Sequence, residues 1–445
     1  MKCLIIAAGR GTRLEQAGIS KPLIPVLGIP IIERIIRAAT VAGIREFYVV
    51  SGYNRAELRQ FLDRVAGKLQ IAITHITNEH WEKGNGLSVL VAQDYIAENF
   101  LLMMGDHLVD PSLLENLKKY PLSDGEIALA VDRNLNTPLV DMNDVTKVKT
   151  ADGKVTAIGK DLKEFNGFDT GVFLCSPVIF DALARSISQD KDDSLSGGIR
   201  NLAAEGKVRV YDVEDTFWID IDDQNGLKKA ENALIQQVTG KFNDGPVSRY
   251  INRPLSLRLS RRLAKFTISP NQISGLSFLF SMLAAGLFSL GGYMSLLTGG
   301  FLAQVASIID GCDGEIARLK CLESPFGGWF DAVLDRYADA FMLLGLTWHA
   351  YLLYSKPAVF LIGFMAIIGS FMVSYTADKY DGRMQHSAKG HIRIGRDIRV
   401  FLIFLGSLLN QVFWTLTVVA TVMNIETVRR IYVCRTEAGN RPVKK

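Results

Sequence analysis

Four aspartates, Asp310, Asp313, Asp331 and Asp335, carry the clearest chemistry in this chain. They fall as two pairs, spaced three and four residues apart, so each pair shares one face of a helix. Forty uncharged residues, Pro270 to Ile309, run directly into them. Acids at the edge of a membrane-like run are costly and usually mark a functional site. Four converging carboxylates repel one another unless cations sit between them, and oxygen-only ligands suit Mg²⁺, Mn²⁺ or Ca²⁺. The plain alternative is a set of interfacial acids solvated by water. A second group lies near the N-terminus, where Gly9, Gly11, Thr12 and Arg13 are followed by Lys21-Pro22-Leu23. Glycines there expose backbone N–H groups, and Arg13 and Lys21 supply positive charge, a combination suited to a triphosphate.

The elements that must position these residues divide the chain in two. At 445 residues there is room for two or three domains. Lys2–Ala8 reads as a buried parallel strand, and Phe100–Met104 as a second, ending in Gly105-Asp106-His107. Between them Ile31–Ala42 and Glu57–Val65 have helical periodicity, while Phe47–Ser51 and Leu69–Ile76 read as strands. Gly153–Lys160 reads as a hairpin. An acid at the end of an internal strand, such as Asp106, sits where open α/β sheets bind ligands. Pro246–Phe266 carries six basic residues among Leu and Ile, as in an amphipathic helix lying on a membrane face.

Long apolar segments follow. Ile273–Leu290, Leu296–Ala317, Gly328–Tyr351 and Val359–Ala377 are each near the ~20 residues a bilayer needs. Val400–Ile425 is one long helix or, preferably, two turning near Gly406–Gln411, giving five or six spans. The basic-rich loops alternate with loops almost free of charge, which with six spans places both termini in the cytoplasm. Arg396 and Arg399 begin the fifth helix inside the membrane boundary, where arginine wants an anionic partner. The net charge of +4 gives no reason to expect a nucleic-acid partner. Five scattered cysteines form no metal-ligand pair and fit a reducing compartment, and Leu4–Ala8 is too short for a signal peptide.

The phrase D-x2-D-G-x2-A-R-x8-G-x3-D-x3-D is matched at Asp310, Asp313, Gly314, Ala317, Arg318, Gly327, Asp331 and Asp335. It resembles the CDP-alcohol phosphotransferase family, which implies a membrane enzyme moving a phospho-alcohol from a CDP-alcohol to a hydroxyl with release of CMP. On that resemblance Asp310, Asp313 and Asp331 hold metal ions, and Asp335 is the base that faces the acceptor, sharing a metal ion if it also ligates one. Gly314, Ala317, Arg318 and Gly327 meet the nucleotide, and Lys379, Lys389, Arg396 and Arg399 form a basic pocket for a phosphorylated acceptor. The N-terminal phrase A-A-G-x-G-x-R-L with K-P-L resembles the nucleotidyltransferases that make NDP-sugars and CDP-alcohols. That resemblance implies a nucleotide site at Gly9, Gly11, Thr12, Arg13, Lys21, Asn85 and Ser88. It also implies a metal at Asp106 with Asp220 or Asp222, and an acceptor site at Lys160 and in the loop Asp169-Thr170-Gly171.

The expected fold is therefore an α/β Rossmann-like nucleotidyltransferase domain followed by an all-α polytopic membrane domain of about six transmembrane helices. The expected boundaries are a cytoplasmic domain at 1–235, a linker with the amphipathic helix at 236–268, the membrane domain at 269–436 and a basic tail at 437–445. The order of the halves resembles a bifunctional family that makes CDP-inositol from CTP and inositol phosphate and then consumes it. That resemblance implies Mg²⁺ or Mn²⁺ in both domains and a multi-pass location in the cell membrane. A homodimer through the membrane domain is also expected. Glycerol, ribitol or choline phosphate would fit the same motifs, and a non-catalytic membrane scaffold is the reading from another class.

Overall fold

The apolar run Cys3–Ala7 becomes β1 (Lys2–Ala7), buried on both faces as a central parallel strand should be. In this computed structural model, residues 1–14, 20–238, 245–384 and 394–439 are described. The chain divides into two units, Met1–Ala233 and Leu234–Lys445, which are taken one at a time.

In the first unit β2 (Glu46–Ser51), β3 (Ala72–Thr77) and β4 (Phe100–Met104) extend the parallel sheet around β1. Helix α1 (Ile31–Val41) buries Ile31, Ile32, Ile35, Ile36 and Ala39, the stripe of a helix packed on a sheet. Helix α2 (Arg55–Leu69) makes the next crossover. A short antiparallel pair, β5 (His107–Val109) with β11 (Trp218–Asp220), sits beyond the end of β4 and sets Asp220 opposite His107. The sheet is completed by β6 (Ile127–Asp132), β7 (Lys147–Ala151), β8 (Lys154–Gly159), β9 (Gly167–Cys175) and β10 (Val208–Asp212). Among the described residues nine strands share one sheet, in the order β3-β2-β1-β4-β9-β6-β10-β8-β7. Its core is a continuous apolar cluster that includes Leu4, Leu102, Leu129 and Phe173. The hairpin expected at Gly153–Lys160 is β7 and β8. One expectation is corrected: Asp169-Thr170-Gly171 lies not in a loop but inside β9, where the ladder slips out of register. The reason is Gly171, which adopts φ +72° and lets the strand irregularity form.

In the second unit the basic segment begins as a wide turn at Ser248–Asn252 and continues as a regular helix at Arg253–Leu263. Six longer helices follow, at Pro270–Ser289, Tyr293–Leu319, Pro325–Tyr354, Ala358–Met384, Arg396–Leu408 and Val412–Gly439. They are α3 to α8 in that order, the basic helix being referred to by its residues. Ser269 caps α3 in a capping box with Gln272, and Ser324 caps α5 by accepting from the Gly327 N–H at 3.0 Å. Pro270 and Pro325 occupy the first turns, where their missing N–H costs nothing. The break at Leu409–Gln411 falls where the sequence suggests a turn between two helices. Among the described residues three segments are long and apolar enough to cross a bilayer: α3, α4 and Ala358–Ala377 of α6. Helix α5 is long enough, but Asp331, Asp335, Arg336 and Asp339 interrupt its first half. Helix α7 has only 13 residues. The connection from α4 to α5 is short, so the C-terminal half of α4 and the N-terminal half of α5 bring all four motif aspartates to one end of the bundle.

Candidate active sites

Beyond the C-terminal ends of β1 and β4, the first unit opens into a cleft of about 720 Å³ lined by Arg13, Asp106, Lys160, Asp169, Asp220 and Asp222, among others. Gly9, Gly11 and Thr12 follow β1 in the chain and lead into Arg13, which lines the cleft. Gly11 has φ +68°, and a Cβ there would lie 2.4 Å from the Cβ of Lys21; its absence lets the loop close over Lys21. Lys21 is 9% exposed, with Nζ 2.5 Å from both Asp106 Oδ2 and Asp222 Oδ1. Burial opposes its charge, but Asp106, Asp222 and Asp220 outweigh burial and raise its pKa. His107 lies 2.8 Å from Asp106 Oδ1 and 3.9 Å from Asp220 Oδ2, and its ring is nearly parallel to Trp218. Trp218 is itself held by donating to Asp132 at 2.7 Å. Burial lowers the His107 pKa, yet Asp220 and Asp106 prevail and push it up to about 9. Burial pushes Asp220 up to about 7 and Asp169 up to about 6.

Asp106, His107 and Asp220 each offer one ligand atom within 4.8 Å of the others. Asp220 Oδ1 is buried with no hydrogen-bond partner, an atom that a cation would satisfy. These residues fit a divalent metal. Asp222 is engaged instead with Lys21 and, at 3.8 Å, with Arg13. Of the two aspartates that the motif leaves open, Asp220 lies within the candidate metal set, while Asp222, like Asp106, meets Lys21. Arg13 and Lys160 both meet Asp144, at 2.5 Å and 2.6 Å. Asp144 was not singled out in the sequence; it comes from an irregular loop that no periodicity or motif marks. Asn85 lines the cleft and accepts from the Leu195 N–H at 2.8 Å. Ser88, in contrast, is buried behind it and accepts from Asn78 at 3.0 Å, so it lies in the wall and not on the cleft surface.

In the second unit Asp310, Asp331 and Asp335 bring carboxylate oxygens within 4.8 Å of one another. This oxygen-only set fits Mg²⁺ or Mn²⁺. Asp313 stands beside it and accepts from Ser274 Oγ at 2.6 Å, and Ser277 Oγ lies 3.2 Å from Asp310 Oδ1. Arg396, the first residue of α7, places Nη1 2.6 Å from Asp310 Oδ2 and 2.7 Å from Asp335 Oδ1. Arg396 also lines a crevice too tight for a water molecule, with Ser274, Ser277, Asp331 and Asp335. Gly314, Ala317 and Arg318 follow on α4, and Gly327 opens α5 with Ser324 Oγ 3.0 Å from where its Cβ would be. Arg399 is 1% exposed and bonded to Asp339. It is not among the residues lining that crevice, because one turn further along α7 it is taken up by Asp339 and the Ser370 carbonyl. Lys379 lies on α6 but its side chain is outside the described residues, as is the whole of Lys389. Asp339 escaped the motif, although its place four residues after Asp335 was a readable signal.

Residues 3–190 match the MobA-like NTP transferase domain family, and residues 267–425 match the CDP-alcohol phosphatidyltransferase family. A "Bifunctional IPC transferase and DIPP synthase" of Archaeoglobus fulgidus is 35% identical over 95% of this chain and 82% of its own length. The protein of the same name from Aquifex aeolicus is 33% identical over 98% of this chain and 99% of its own. The "Archaetidylinositol phosphate synthase" of Pyrococcus horikoshii is 31% identical over 41% of this chain and 91% of its own. A nucleotidyltransferase cleft in one unit and an aspartate-lined helical site in the other, matched over nearly their full length by the first two relatives, place this chain in the family of bifunctional IPC transferases and DIPP synthases.

Proposed function

We propose that the chain carries out two linked reactions on inositol 1-phosphate. In the first unit the phosphate oxygen of inositol 1-phosphate attacks the α-phosphorus of CTP, giving CDP-inositol and diphosphate. In the second, a hydroxyl of another inositol 1-phosphate attacks the phosphorus next to inositol in CDP-inositol. CMP leaves, and the product is di-myo-inositol phosphate phosphate. The observation that carries this reading is the presence in one chain of both a cation-lined cleft and a separate aspartate set, in a chain whose relatives are named for both activities.

In the first step Lys21 and Arg13 orient phosphates and oppose developing charge, while Lys160 and Asp169 receive the inositol phosphate. Asn85 and the loop at Gly9, Gly11 and Thr12 border the nucleotide; Ser88 supports that wall. In the second step Asp335 accepts the proton of the attacking hydroxyl, and Arg396 meets the phosphate of the acceptor. Gly314, Ala317, Arg318 and Gly327 border the cytidine. A divalent cation, Mg²⁺ by preference, would be held by Asp106 and Asp220 in one site and by Asp310, Asp331 and Asp335 in the other, with Asp313 beside it. Such a cation reduces the charge on the phosphates that meet there.

The same reading takes all six long helices as spans, with the polar residues of α5 facing the bundle and the 13-residue α7, about 20 Å long, accommodated by local thinning of the bilayer. Both termini and the first unit are then cytoplasmic, where CTP is, and the membrane domain pairs with a second copy. The experiment is to incubate the purified protein in detergent with CTP, Mg²⁺ and a panel of alcohol phosphates, reading product mass. Inositol 1-phosphate should give CDP-inositol and then the diester; turnover of another alcohol phosphate in its place would replace the inositol assignment.

A further inference from the structure

Two arginines three residues apart on α7 meet very different surroundings. The Arg396 side chain is 16% exposed and lies against Asp310 and Asp335, whereas that of Arg399 is 1% exposed. Asp339, 2% exposed and one helical turn past Asp335, lies between them. Its Oδ2 accepts from Arg399 Nη2, and its Oδ1 is 3.4 Å from Arg396 Nε. Arg399 also donates from Nη1 to the Ser370 carbonyl on α6 at 3.4 Å.

A buried ion pair is weak evidence for stability, since an apolar pair of similar volume is often as good. Charges inside a membrane bundle therefore call for another account. We propose that Asp339 is a positioning residue for the transfer step: backed by Arg399, it anchors Arg396 beside the motif aspartates. This rests on the reading that Asp310, Asp331 and Asp335 hold the cation and that Arg396 meets the acceptor phosphate. Among the described residues Arg396 Nη1 is otherwise drawn to Asp310 and Asp335. With a divalent cation on those carboxylates that attraction is spent, and Asp339 remains to hold Nε while the Nη groups turn to the phosphate. Arg399 then never touches substrate; it neutralises the anchor and ties it to α6.

The test uses full-length protein in detergent, supplied with CDP-inositol and inositol 1-phosphate. Asp339→Asn alone would strand a buried Arg399, so the informative change is the double variant Asp339→Leu/Arg399→Met. It should stay folded by thermal melting. Its KM for inositol 1-phosphate should rise about tenfold or more, the size of effect that losing the partner of a site residue commonly brings, while KM for CDP-inositol stays unchanged. A folded double variant with the normal acceptor KM, or with both KM values raised alike, overturns the proposal. Arg399→Lys preserves the countercharge and should keep most transfer activity. Its loss in a folded protein would mean that Arg399 itself binds substrate, again overturning the proposal. Arg396→Met separates the two layers. If it leaves the acceptor KM unchanged, the role given to Arg396 is wrong; if it raises that KM and the double variant does not, only the anchoring role fails.

Discussion

At the scale of single residues, the acids divide into those that share a ligand position and those that support it. Asp310, Asp331 and Asp335 converge, but only Asp335 is the proposed base. Asp335→Asn keeps an oxygen while removing the proton acceptor, so transfer should fall ~10²–10⁴-fold. Asp331→Asn should instead weaken metal affinity and recover partly with added Mg²⁺. The transfer rate of both variants across an Mg²⁺ titration checks this; rescue of Asp335→Asn alone would reverse the two roles. In the first unit Gly171 is a sharp probe, because a Cβ there would lie 2.7 Å from Met104 Cγ and 2.9 Å from His107 Cδ2. Its φ of +72° adds about 1–2 kcal/mol of backbone cost for any other residue. Gly171→Ala should therefore lower CDP-inositol synthesis at least tenfold, about what 1.4 kcal/mol in the barrier brings, and leave transfer from supplied CDP-inositol unchanged. An equal loss of both activities would tell against a local effect at His107.

At the scale of elements, the basic helix Arg253–Leu263 is more than a surface float. Its Ser256 and Ser260 are buried, and Arg253 Nη1 meets the wholly buried Glu315 of α4 at 2.7 Å, with Ser256 Oγ at 2.6 Å from the same oxygen. Arg258, Arg262 and Lys265 remain exposed on the other side, free to face a lipid headgroup layer. Removing one partner of such a pair costs about 3–5 kcal/mol, so Glu315→Ala should lower the unfolding temperature of the detergent-solubilised protein by several degrees. An unchanged midpoint would mean that the helix is not docked through this pair. The sequence made most elements legible where periodicity was strong: β1, α1 and the helices α3, α4 and α5 emerge within a few residues of their expected ends. It was less informative where tertiary packing decides. Asp169 reads as a loop residue from the resemblance of Asp169-Thr170-Gly171 to an acceptor-pocket loop, yet it belongs to a strand. Ser88 reads as a ligand contact from its motif, yet Asn78 takes it into the wall. Asp144 gave no signal, since its meeting with Arg13 and Lys160 joins segments 131 and 16 residues apart.

At the scale of the whole molecule, the two sites fall in different units of one chain, and every residue lining the first cleft precedes Ala233. A fragment ending at Val238, which keeps the helix Gln224–Val238 whole, should be soluble and make CDP-inositol at close to the full-length rate. A folded but inactive fragment, assayed for diphosphate release, would show that the second unit completes the first site. The central claim, two chemically linked but separable reactions, is tested most directly by quantifying diphosphate, CDP-inositol and CMP from two full-length variants given CTP, Mg²⁺ and inositol 1-phosphate. Asp335→Asn should release diphosphate and accumulate an equal amount of CDP-inositol with almost no CMP. Lys21→Ala should release no diphosphate, yet should produce CMP when CDP-inositol is supplied. If either substitution abolishes both reactions in a folded protein, the two-site account is wrong.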